Sequence, residues 1–122
     1  MNHKEYKEHL LAQIISSADV QAQKAKKNPG DDRYSHSEKT LHALADNLGR
    51  VPASDPFFMR ACNLRFGGDH MSDMTDEELM KMGNVETDLI SKYGFVGKAN
   101  GKPEQFLRSL VDTLTKTAIM LR

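Results

Sequence analysis

Asp69, His70 and Asp73, in the run GGDHMSD, are the closest this chain comes to a cluster that could bind a metal or move protons. Two carboxylates beside an imidazole can act as general acid and base or hold a divalent cation. The preceding Gly67-Gly68 pair would let the backbone approach a ligand closely. However, no second histidine stands at ligand spacing, and the run lacks the alternating oxygen ligands and closing glutamate of a calcium loop. A polar loop leading into a capped helix is the plainer expectation, so a small enzyme using Asp69, His70 and Asp73 ranks third among the functional readings.

The other reactive side chains are no closer to catalysis. Cys62 is the single cysteine, which excludes an intramolecular disulfide and a cysteine-based zinc site. It shares a stripe with Phe58 and reads as a small buried apolar residue. Ser16, Ser17, Ser35 and Ser37 lack a Gly-x-Ser-x-Gly context. His3, His9, His36 and His42 are expected on polar helix faces or in loops. Gly97-Lys98 and Gly101-Lys102 form a flexible basic stretch before a helix start, where backbone amides could hold a phosphate. Their spacing matches no phosphate-binding loop. No catalytic residue, metal site or cofactor is assigned, and the chain is not read as an enzyme.

Charge is more informative. Seventeen basic residues balance seventeen acidic ones over 122 residues, whereas a dedicated nucleic-acid binder usually carries a basic excess. The balance is uneven along the chain. Residues 69–90 hold seven carboxylates against one lysine, and residues 91–122 hold six basic groups against two acidic ones. The acidic strip is Asp69, Asp73, Asp76, Glu77, Glu78, Glu86 and Asp88, more than a dipole-complementing first helical turn requires. Met71, Met74, Met80 and Met82 interleave with it, and methionine packs adaptably at recognition surfaces.

The elements that would position these residues read as helices separated by strong punctuation. Asn2 with Glu5 forms a capping box, and Tyr6, Leu10, Leu11, Ile14, Ile15, Ala18, Ala22 and Ala25 mark an apolar face ending at Pro29-Gly30. A second helix begins at Ser35 or Ser37, carries Leu41, Leu44, Ala45 and Leu48, and stops at Gly49. Asp55-Pro56 opens a third, ending at Gly67-Gly68. Thr75 and Glu78 box the fourth, with Met74 and Leu79 as its staple and Gly83 as its end. A fifth short helix runs from Asn84 to Gly94 and meets the fourth at a corner. Pro103 starts the last, with Phe106, Leu107, Leu110, Val111, Leu114, Ala118 and Leu121 facing inward. Asn100-Gly101 suits a two-residue turn, so a small hairpin near 95–102 is the alternative to a loop.

The stretch LADNLGRVPASDPFF superficially has the form of a helix-turn-helix. Its failure is local. Asp55 stands where a buried aliphatic residue should lock the two helices, and Pro56 falls inside the supposed reading helix. Residues 50–55 are therefore expected to be a connector between separate helices.

The expectation is one all-α domain over residues 1–122, a compact irregular bundle of five or six helices. Long first and last helices pair as the scaffold, with short ones across them. The N-terminal MNHKEYKEHLL is too charged for a signal peptide, and no apolar run approaches the ~20 residues of a membrane span. A soluble cytoplasmic protein is expected, with self-association along the long helices left open. The leading functional reading is a non-catalytic protein–protein interaction module, a regulator or inhibitor of a nucleic-acid-handling machine, acting through the acidic strip on an unidentified protein partner. The alternative is nucleic-acid binding by Lys24, Lys26 and Lys27 together with Lys98, Lys102 and Arg108.

Overall fold

The structure, a computed structural model, describes residues 2–66, 75–98 and 102–121. They form five helices and no strand: α1 (His3–Lys27), α2 (Asp32–Gly49), α3 (Pro56–Phe66), α4 (Asp76–Val96) and α5 (Pro103–Met120). No helix among the described residues is long and apolar enough to cross a membrane.

Asn2 caps α1 as expected, its Oδ1 accepting from the Glu5 amide at 2.8 Å. Tyr6, Leu10, Ile14, Ala18 and Gln21 form the buried stripe, while Ile15 is left exposed. α2 begins earlier than the serines suggested. Asp31 is its N-cap, accepting from the Arg33 amide at 3.1 Å, so Ser35 lies within the helix and Ser37 is buried. The joint before α3 has the expected form: the Phe57 amide donates to Asp55 Oδ1 at 2.9 Å, and Pro56 is the first helical residue.

The largest departure is α4. Gly83 does not end a helix and Asn84 does not start one; a single helix of 21 residues runs through both, so there is no corner. Both interior glycines are contact points. A Cβ on Gly83 would lie 2.6 Å from Arg65 Nη2, and one on Gly94 would lie 2.5 Å from Ser37 Oγ and 3.0 Å from Leu41. The helix continues to Val96, which rules out a hairpin strand starting at 95. Residues 99–101, where its turn was expected, lie outside the described residues, as does the staple residue Met74.

The scaffold pairing also differs from expectation. α1 packs chiefly on α2, α2 also on α4, and α5 on α3 and α4; the backbones of α1 and α5 do not approach closely. The core that results joins Leu10, Leu41, Phe58, Ile90, Phe106 and Leu110 with their neighbours. Tyr93 stands edge-on to Phe106 at 5.4 Å. The reason for the different pairing is the short 28–31 connection, which folds α2 back along α1 as an antiparallel hairpin.

A lysine locks that hairpin. Lys7 Nζ donates to the carbonyls of Gly49 at 2.9 Å and Val51 at 2.7 Å, placing a cation on the unsatisfied carbonyls at the end of α2. Lys7→Met keeps the stem but loses both bonds, and is expected to lower stability by about 1–2 kcal/mol. The urea midpoint should fall with an unchanged m-value; an unchanged midpoint would show that water serves those carbonyls equally well.

Candidate functional site

The acidic strip divides once its residues are placed. Asp69 and Asp73 lie outside the described residues, as do His70 and Met71. Asp76, Glu77 and Asp88 are exposed on α4, and Glu78 is half-buried at its first turn. Thr75 Oγ1 accepts from the Glu78 amide and donates to Glu78 Oε1, both at 3.1 Å, so Glu78 serves the cap. Glu77 stands 4.0 Å from Lys81 one turn on. Met80 projects with 66% of its surface exposed, whereas Met82 is fully buried.

Glu86 does not belong to the surface strip. It has no exposed surface and lies between α1, α3 and α4. Tyr6 donates its hydroxyl to Glu86 Oε2 at 2.7 Å. His9 Nε2 and Arg65 Nε stand 3.7 Å and 4.0 Å from Glu86 Oε1. Those three atoms make no hydrogen bond with a described residue. Phe66 closes the group, its ring edge-on to Tyr6 and to His9, both at 5.8 Å, with the Arg65 guanidinium 4.5 Å from its centroid. His9 is therefore part of this group, not a bystander on a polar face.

Helix register explains why Glu86 is inside. It stands four residues after Met82 and four before Ile90, on the buried stripe of α4. Gly83, one turn earlier, leaves the space that the Arg65 guanidinium occupies. Dividing α4 at Gly83 conceals this register; one helix read through from Thr75 to Tyr93 places Glu86 on the apolar face.

The cluster's chemistry is that of a clamp. Burial, then the Glu86 charge and its hydrogen bond, push the Tyr6 phenol well above its ordinary range, so Tyr6 is a neutral donor. Arg65 supplies the countercharge, its side chain only 12% exposed. Burial raises the Cys62 thiol as well, keeping it from the thiolate a nucleophile needs.

The basic residues of the alternative reading fall in three surroundings. Lys24 Nζ lies 5.9 Å from the Tyr34 ring centroid, and the Arg33 guanidinium lies 5.7 Å from it. Tyr34 in turn meets Phe95 edge-on at 6.2 Å. Lys26 and Lys27 share the last turn of α1 with Lys24. On the neighbouring side, Tyr93, Val96, Lys98, Lys102 and Gln105 border an open hollow of about 550 Å³, and partial burial raises the Tyr93 phenol. Arg108 points elsewhere: it lies 5.6 Å from the Phe57 ring and shares a shallow depression with Lys102 and Glu104. No family model, curated protein or solved structure matches the chain.

Proposed function

We propose that the protein is a non-catalytic interaction module that engages a protein partner through the first two turns of α4. The observation that supports this is Met80. It is largely exposed, four residues after Asp76 and three after Glu77, so an adaptable apolar side chain is flanked by two carboxylates on one outward face. A partner surface with a shallow apolar pocket rimmed by lysine or arginine fits that arrangement. The carboxylates speed encounter, and the methionine supplies the desolvated anchor.

The test is affinity capture from the source cell with quantitative mass spectrometry, using wild type, D76K/E77K and M80E. Glu78 is left in place because it serves the cap. Both variants should retain the wild-type circular dichroism spectrum and lose at least about tenfold of the captured partner, the equivalent of removing ~1.4 kcal/mol. A partner retained equally by all three proteins, or none captured by wild type, would refute the reading.

A further inference from the structure

We propose that the opposite end of the bundle, where α1 ends, α2 begins and α4 finishes, binds single-stranded nucleic acid. Phe95 would be the stacking platform for one base, and Lys24, Lys26, Lys27 and Lys98 the phosphate contacts. This surface is separate from the Met80 face, and neither proposal depends on the other.

Phe95 is 39% exposed in the last turn of α4. The Tyr34 ring meets it in a T-shaped contact, and that ring is itself flanked by Lys24 and Arg33. Aromatic rings interleaved with cations are what sequence-tolerant single-strand binding uses, because every base has a π-face and every nucleotide a phosphate. Beside Phe95 lies an open hollow of about 400 Å³, bounded by Asp32, Arg33 and His36.

The charges in that hollow select a base over a phosphate. Arg33 is already engaged by Asp31 through a two-pronged contact whose shorter distance is 2.6 Å, which also holds the Asp31 carboxyl below its usual range. Among the described residues that leaves Asp32 as the charge of the hollow without an ion-pair partner, and a phosphate or carboxylate there would meet like charge. A neutral ring bearing an exocyclic amine would instead donate to Asp32 while stacking on Phe95. The phosphates then fall outside, towards the lysines. None of the four lysines forms an ion pair with a described residue.

Overall neutrality does not oppose this binding. α4 is 21 residues long, so its acidic start lies about 30 Å along the axis from its end, several times the ~8 Å over which physiological salt screens charge. A strand at Phe95 experiences the nearby charges, the lysines together with Asp32, not the net charge.

Fluorescence anisotropy of the full chain with an end-labelled oligodeoxyadenylate of about 12 nucleotides, within the usual single-strand site sizes, tests the proposal. Binding at low salt is expected, with log affinity falling against log salt at a slope near −3 for four phosphate contacts. F95A should weaken binding about tenfold or more at unchanged slope, and K26E/K27E should flatten the slope. The paired variants keep the test decisive if F95A perturbs α4, because Lys26 and Lys27 are exposed on another helix. Absence of binding at low salt would overturn the proposal. So would a duplex of equal length competing as well as the single strand, an affinity indifferent to F95A, or tighter binding to phosphatidylserine vesicles than to the oligonucleotide.

Discussion

Glu86→Ala is expected to remove about 3–5 kcal/mol of stability, a large part of what a domain this size possesses. The substitution leaves the nearly buried Arg65 guanidinium without its countercharge and takes the acceptor from the Tyr6 hydroxyl, which has no exposed surface. Most of the loss is the cost of those orphaned groups, not the intrinsic strength of the pair. R65M/E86L, which replaces both charges with apolar side chains of similar bulk, should therefore recover most of the loss, even though it also removes the hydrogen bond from Tyr6. Urea unfolding of wild type, R65M, E86L and R65M/E86L closes the cycle. A strongly positive coupling is expected, and additive single effects would show that Arg65 and Glu86 are independently solvated.

The second large effect is expected at Gly94. In a helix interior, glycine to alanine ordinarily gains about 1 kcal/mol of propensity. At Gly94 the new methyl would overlap Ser37 Oγ and press on Leu41, both fixed in the buried face of α2. G94A should thus be destabilising by about 1–3 kcal/mol, because α2 and α4 must move apart. G83A offers the instructive contrast. Its methyl meets the tip of Arg65 rather than a packed helix face, but relieving that overlap draws the guanidinium away from Glu86, so the propensity gain is expected to offset only part of the conflict. Thermal unfolding of the two variants side by side measures the difference. A G94A midpoint equal to or above that of wild type would mean that the close approach of α2 and α4 at Gly94 is not sterically limiting.

These two glycines also show where the sequence is legible and where it is not. Local signals suffice at three helix starts, where Asn2, Asp55-Pro56 and Thr75-Glu78 each start the helix they announce, but not at α2, where Asp31 caps the helix and the serines that suggested a cap lie inside it. The apolar stripes of α1 and α5 were equally plain. Gly83 and Gly94 misled because glycine has two uses, ending a helix and admitting a neighbour, and only tertiary packing distinguishes them. The misplaced break at Gly83 then removed Glu86 from its stripe and made it look like part of an acidic surface. The α1–α2 hairpin was missed because a stripe shows that a helix is buried but not which partner buries it. Aromatic contacts such as Tyr34 with Phe95 join residues far apart in the chain, and no spacing rule announces them.

The hydroxyl of Tyr6 also has a bearing on both ends of the molecule. The buried stripe of α1 is Tyr6, Leu10, Ile14, Ala18 and Gln21, which differ in size or shape, so a slide by one turn, about 5.4 Å, would put the wrong side chain into every slot. The hydrogen bond from Tyr6 to Glu86 belongs to that same alignment, so a polar contact and the varied bulk of the stripe favour one registration together. The far end of α1 inherits that choice: displaced by a turn, Lys24 would no longer lie over Tyr34. A buried hydrogen bond near the N-terminus thus helps to set the position of an exposed lysine eighteen residues later along the same helix.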